Sequence, residues 1–206
     1  MKIKKHITAL ATAAALSATL PAVAQQSQHM TPETMLSLAR VGASALSPDG
    51  KTVVYSVGFP SIKDNKIRTE LFTISSDGSA RRQITQGVAG VHGARWIQQG
   101  RRISYISSES GAPQVWTMAP DGTDRRQVTN IEGGLSDYLF SPDEKQLAYI
   151  KEISFGKSTK EIYPDLPKAT GRIVTDLMYK HWDEWVETIP HIFIAPVGGE
   201  AITGGK

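Results

Sequence analysis

Ser44-Ala45-Leu46-Ser47-Pro48-Asp49-Gly50-Lys51-Thr52-Val53-Val54-Tyr55-Ser56-Val57 is the stretch that decides the fold. Ser47-Pro48-Asp49-Gly50 suits each position of a type I turn: Ser at the first, Pro fixing φ at the second, Gly at the fourth. The residues that follow are β-branched and aromatic, as a strand requires. Val53, Tyr55 and Val57 alternate onto one face. A further strand at 70–75 leads into the turn Asp77-Gly78 and a short strand ending Gln83-Ile84-Thr85. The pattern returns at 93–97, 101–107 and 114–118, with Asp121-Gly122 and Gln127-Val128-Thr129. Thr85 and Thr129 are 44 residues apart, as are Phe72 and Trp116. A period of roughly 40–50 residues is that of a four-stranded propeller blade.

A third copy opens at Tyr138-Leu139-Phe140-Ser141-Pro142-Asp143-Glu144, runs through 146–150, and closes late at 191–197, Gly198-Gly199 and Ile202-Thr203. The expectation is an all-β chain, an incomplete β-propeller of about three four-stranded antiparallel blades at about 43–86, 87–130 and 131–206. Tyr55, Tyr105 and Tyr149 keep the same phase and read as packing residues between blades.

The third closing pair lies 74 residues after the second, which leaves about 30 extra residues, placed at about 152–190. Residues 155–160 read as loop, and Tyr163-Pro164-Asp165-Leu166-Pro167 as extended or turning, since Pro disfavours helix in the residue before it. Residues 175–187 read as a helical insertion. Leu177, His181 and Trp185 fall at i, i+4 and i+8, with Asp176, Lys180, Asp183, Glu184 and Glu187 mainly on the other side. Trp182, Asp183, Glu184, Trp185 and Glu187 combine aromatic walls with acidic groups, a candidate site for a cationic ligand such as a peptide amino terminus. The competing reading is an amphipathic helix with solvated acids. His181-x-Asp183-Glu184 lacks a second His at helical spacing, so no metal site is expected.

Residues 1–24 carry a basic start at Lys2, Lys4 and Lys5, an apolar Ala-rich stretch, and an Ala22-Val23-Ala24 cleavage pattern. They read as a secretory signal peptide, which places the remainder in the periplasm or outside a bacterial cell after cleavage near Ala24. The stretch is too short and too rich in Ser and Thr to span a membrane, so no stable membrane insertion is expected. Of the 23 Lys and Arg, three lie there and no acid does, which leaves 20 bases against 20 acids. That balance gives no electrostatic case for nucleic acid. Residues 25–42 form a leader with a short helix, capped by Thr31 with Pro32 in its first turn.

The chain has no cysteine, which excludes thiol catalysis, disulfides and Cys-ligated metal. It contains no Gly-x-Ser-x-Gly elbow, no P-loop and no dinucleotide fingerprint. None of its histidines has a visible nucleophile partner. No catalysis by this chain alone and no cofactor are expected. Three blades do not close a ring, so the chain reads as the front of a longer protein.

Met30-Thr31-Pro32-Glu33, the opening Leu46-Ser47-Pro48-Asp49-Gly50-Lys51 and the segment Tyr179-Lys180-His181-Trp182-Asp183-Glu184-Trp185 together resemble exported bacterial serine peptidases of the prolyl oligopeptidase family. The last segment is similar to the third-blade insertion of the dipeptidyl-peptidase and acylaminoacyl-peptidase branches. The resemblance covers 25–206. It implies a propeller that gates short peptides into a C-terminal α/β-hydrolase domain bearing Ser, Asp and His. It further implies acidic residues presented to the substrate's amino terminus. The partners so implied are that hydrolase domain, the remaining blades and a peptide substrate. The Ser-Pro-Asp-Gly repeat is shared with TolB-like propellers, and the alternative is a non-enzymatic periplasmic scaffold.

Overall fold

A computed structural model describes residues 29–154, 156–173, 180–181 and 183–206. The expected signal segment lies outside them, as do residues 174–179 and Trp182 of the insertion. The leader helix forms as expected. Helix α1 (Pro32–Ser37) is capped by Thr31, whose hydroxyl accepts from the Thr34 amide at 3.1 Å. Its apolar residues Met35 and Leu36 stay exposed.

Three antiparallel sheets follow. The first blade takes its strands in chain order: β1 (Arg40–Leu46), β2 (Thr52–Ser61), β3 (Lys66–Ser75) and β4 (Arg82–Gln83). The second repeats it with β5 (His92–Ile97), β6 (Arg102–Ser107), β7 (Gln114–Met118) and β8 (Arg126–Gln127). The third holds β9 (Asp137–Phe140) and β10 (Gln146–Ser154). After the insertion's α2 (Thr159–Ile162), β11 (Lys180–His181) and β12 (Glu184–Trp185), it adds β13 (Thr188–Pro196).

The turns work as their residues dictate. The Ser47 hydroxyl donates to Asp49 Oδ1 at 2.5 Å and accepts from the Thr52 amide at 2.9 Å. Gly50 closes the turn at φ 71°, in the left-handed region. Ser141 and Asp143 reproduce this network in the third blade, at 2.6 and 3.0 Å. There Glu144 adopts φ 57°, and its carboxylate reaches back to accept from the Gln98 amide of the second blade at 2.6 Å.

Side chains from adjacent sheets meet in two apolar layers. Val54, Leu71 and Ile84 pack against Ile103, Tyr105 and Met118. Ile106 and Val115 pack against Leu135, Tyr138, Leu147 and Tyr149. Each fully buried aliphatic side chain contributes about 1.5–3 kcal/mol relative to exposure. Tyr105 is therefore an inter-blade packing residue, as its phase predicts. Polar ties cross the same seams. Trp96 Nε1 donates to the Ala45 carbonyl at 3.0 Å, and the Tyr138 hydroxyl lies 2.9 Å from the Gly93 carbonyl and 2.8 Å from Ser104 Oγ. Burial pushes the Tyr138 phenol well above its ordinary value.

Two sequence expectations are corrected. The helix expected over 175–187 is not formed in its described part. Lys180 pairs with Trp185 and His181 with Glu184, antiparallel across a turn at Asp183. The run Trp185-Val186-Glu187-Thr188-Ile189 is aromatic and β-branched, and that preference for extended backbone overrides a helical period visible over only three positions. The helical part of the insertion is the single turn α2, held by a capping box between Ser158 and Glu161.

The second correction concerns Ile202-Thr203, expected as the third closing pair. Ile202 instead makes a parallel bridge with Thr129, its amide bonding the Val128 carbonyl at 2.9 Å. The outer-strand position is taken by Lys206, which exchanges two backbone bonds with Ile194 at 2.9 and 3.0 Å. That matches Arg82 opposite Thr73 and Arg126 opposite Thr117. The turn after β13 carries Gly198, Gly199 and Gly204, and its extra length lets Ile202 fold back into the seam.

Candidate functional site

Because the strands run alternately up and down, the β2–β3, β6–β7 and β10–β13 connections emerge on the same rim of the array. The second of these is short. The first is a hairpin whose ten-residue strands carry its tip past the blade, and the third is the insertion. Loops on a rigid sheet scaffold are where binding groups are most freely placed.

Within the insertion, β12 and the short link to β13 bring Trp185 and Glu187 together around Arg172. The Arg172 guanidinium lies 4.7 Å from the Trp185 ring centroid and pairs with the Glu187 carboxylate. Trp185 is half-buried and Glu187 exposed. Two of the five sequence-selected residues therefore already hold a cation, supplied by the chain itself. Asp183 stands exposed in the tight turn between β11 and β12, and Glu184 opens β12. Trp182 lies outside the described residues.

Arg172 was missed by sequence reasoning. It sits 13 and 15 residues before its partners, in a stretch with no periodicity, so no spacing rule selects it. The arrangement is an acidic, aromatic-walled patch with one resident arginine. It pairs with a cation, and among the described residues it has no group placed for covalent chemistry. Among the described residues no group of three or more His, Cys, Asp or Glu could hold a metal ion. His92 and His191 are exposed, each ring bonded only to a nearby backbone carbonyl. Among the described residues no helix is long and apolar enough to cross a membrane.

Comparison with known proteins gives this geometry its context. No family model matches the chain. It is 60% identical over 179 residues to the dipeptidyl-peptidase 5 of Porphyromonas gingivalis, covering 87% of this chain and 26% of that protein. Over this length the chain is a homologue of dipeptidyl-peptidases. The dipeptidyl-peptidase 5 of Porphyromonas endodontalis is 48% identical over 181 residues, again covering 26% of its length. The chain thus spans about a quarter of the curated relatives it matches. In three dimensions it is similar to the acylaminoacyl peptidase of Pyrococcus horikoshii, with a TM-score of 0.59 at 12% identity, over 82% of this chain and 25% of that one. A variant of the AtxE2 isopeptidase gives 0.55 at 16% identity, over 81% and 30%. At such identities the likeness shows the fold alone, that of β-propeller blades.

Proposed function

We propose that the chain is the propeller portion of an exported serine peptidase that cleaves short peptides, with the propeller gating access to a catalytic domain supplied by the rest of the polypeptide. The observation that carries the reading is the 60% identity to a dipeptidyl-peptidase over nearly the whole chain. The signal pattern of residues 1–24 supports export. The reaction of the whole protein is acyl transfer to a serine hydroxyl, assisted by His and Asp, followed by hydrolysis. None of those groups belongs to this chain.

The insertion's part is to bind the substrate's ammonium group through Asp183 and Glu184, beside the wall formed by Trp185. Anchoring the amino terminus at a fixed distance from the serine selects dipeptide release over internal cleavage. The test uses the full-length protein, assayed on a short peptide and on its N-acetylated counterpart. Release of a dipeptide from the free peptide alone supports the reading. Failure to cleave either, together with no serine labelled by a fluorophosphonate probe, removes it. Asp183→Asn with Glu184→Gln is expected to raise KM for the free peptide at least about tenfold, the loss of one charge-assisted contact. An unchanged KM removes the anchoring role.

A further inference from the structure

The β2–β3 hairpin of the first blade is longer than its counterpart in the second, and the added length carries charge. Val57 opposite Glu70 and Ser107 opposite Gln114 are equivalent pairs in the repeat. Beyond them the second blade turns within the six residues 108–113, whereas the first takes the twelve residues 58–69. β1 pairs no further along β2 than Gly58, and β4 no further back along β3 than Phe72. The tip therefore stands clear of its own sheet and above the height of an ordinary blade, on the rim that also carries the insertion.

Strand alternation puts Phe59, Lys66 and Arg68 on one face, with Glu70 at its base. In the second blade Gln114 accepts the Thr129 hydroxyl and the Ile131 amide with no charge, so holding the outer strand requires no carboxylate. What the carboxylate of Glu70 adds is Arg68. Glu70 is fully buried, and its Oε1 accepts from Arg68 Nη1 at 3.0 Å. The same guanidinium lies 5.5 Å from the Phe59 ring centroid, and Phe59 is backed by Phe72 at 6.2 Å. A buried carboxylate on one nitrogen and a ring against its plane fix the guanidinium in place. The Arg68 side chain is nonetheless 57% exposed, and among the described residues only its Nη1 has an acceptor. Lys66 is exposed about 7 Å along the same face.

We propose, resting on the peptidase reading above, that Arg68 and Lys66 form a carboxylate-binding site whose ligand is a carboxylate of the peptide substrate. A guanidinium pinned on one side offers its free N–H groups as a fork to a planar carboxylate, and the Lys66 ammonium adds a second positive charge. Lys63, Lys66 and Arg68 outnumber the one acid of the tip, Asp64, which the Ser61 hydroxyl engages at 2.7 Å. On the same rim the insertion brings Asp183 and Glu184, the acids assigned to the substrate's ammonium group. A short peptide is positive at one end and negative at the other. The rim is complementary to it, with acid from the third blade and base from the first. Every short peptide carries the required group at its C-terminus, and an Asp or Glu side chain supplies the same chemistry.

The test uses the full-length protein and a short peptide whose bond after the second residue is N-methylated, so that it binds without being cleaved. Calorimetry gives the dissociation constants of the free acid, the C-terminal amide, and an amide with a glutamate as its last residue. A carboxylate at either place is expected to tighten binding at least about tenfold over the plain amide, the gain of one charge-assisted contact. Which of the two does so identifies the source. Arg68→Gln with Glu70→Gln removes the cation and copies Gln114, leaving no buried charge stranded, and the gain is expected to vanish. Lys66→Gln, at an exposed position, is expected to reduce the gain about threefold and repeats the measurement if the double variant perturbs folding by circular dichroism. No gain from either carboxylate, or a gain that both variants leave intact, overturns the proposal. Cleavage of the unmethylated peptide is assayed on the same samples. The gain without cleavage keeps the site and removes the peptidase reading, and cleavage without the gain does the reverse.

Discussion

Glu70 stands in the first blade where Gln114 stands in the second, and each accepts the hydroxyl of the threonine two residues beyond its outer strand. Thr85 Oγ1 donates to Glu70 Oε2 at 2.8 Å, and Thr129 Oγ1 donates to Gln114 Oε1 at 2.7 Å. The same hydroxyls accept from the Leu71 and Val115 amides. The recurrent Ile/Val-Thr of the sequence is thus a buried latch between the outer strand and its neighbour. In the first blade the latch holds a carboxylate, which also accepts from the Gly87 amide and pairs with Arg68.

Thr129→Val keeps the shape and removes both bonds. It should lower stability by about 2 kcal/mol, because the Val115 amide is left buried without a partner. Thr85→Val should cost more, about 3 kcal/mol, since a buried carboxylate loses a donor as well. Urea unfolding of the two variants checks the order, and equal losses would show that the charge of Glu70 is irrelevant.

Glu144 occupies a left-handed position filled by glycine in the first blade. Glu144→Ala should cost about 1–1.5 kcal/mol, losing the tie to Gln98 while keeping the strain. Glu144→Gly loses the tie but relieves the strain, and should fall within about 0.5 kcal/mol of the original. A glycine variant as unstable as the alanine one would mean that the strain is negligible.

Acid should loosen the turns. Donation from Ser47, Ser79, Thr123 and Ser141 holds Asp49, Asp77, Asp121 and Asp143 below the usual carboxylate range. Their folded values lie below the unfolded ones. The stability they add is therefore complete above that range and is lost as pH falls through the folded values. Carboxyl carbon chemical shifts followed by NMR should show Asp49 titrating at higher pH in Ser47→Ala. No shift would exclude the hydroxyl as the cause.

Alkali should act on the seams. Burial raises the Tyr138 and Tyr105 phenols, with Arg125 partly opposing this at Tyr105. A raised phenol adds stability below its unfolded value, near pH 10, and that contribution is lost as pH rises through the folded value. Burial raises the Tyr149 phenol in the same way, so ultraviolet titration should find Tyr105, Tyr138 and Tyr149 ionising late, and Tyr138→Phe should leave one late phenol fewer. Absence of any late phenol would contradict that burial.

Arg172 should fasten the insertion. Arg172→Ala removes its pairing with Trp185 and Glu187, and chymotrypsin should then cut between residues 155 and 187 about threefold faster or more, as local opening becomes easier. An unchanged rate would mean that the other contacts of the insertion suffice.

The blades were legible because turn chemistry and strand alternation are local. Ser47-Pro48-Asp49-Gly50 and Tyr55 each report their own conformation to a reader of the sequence. The insertion was not, because its arrangement depends on Arg172 meeting Trp185 and Glu187 across a stretch with no period. The third closing pair was misassigned for a related reason. Ile202-Thr203 copies the composition of a closing pair, but a glycine-rich turn sends it to a different neighbour. Secretion and the amine-binding role of Asp183 and Glu184 stand on sequence pattern and resemblance, which no contact among the described residues replaces.

In the first two blades every strand pairs only with strands from its own stretch of chain, in the order in which they are made. Each sheet can therefore zip up as soon as its last short strand emerges from the ribosome or a translocation channel, without waiting for distant residues. What must wait is the burial of its far face. During synthesis the exposed apolar surface is that of the newest blade, so the aggregation hazard moves along the polypeptide with its growing end.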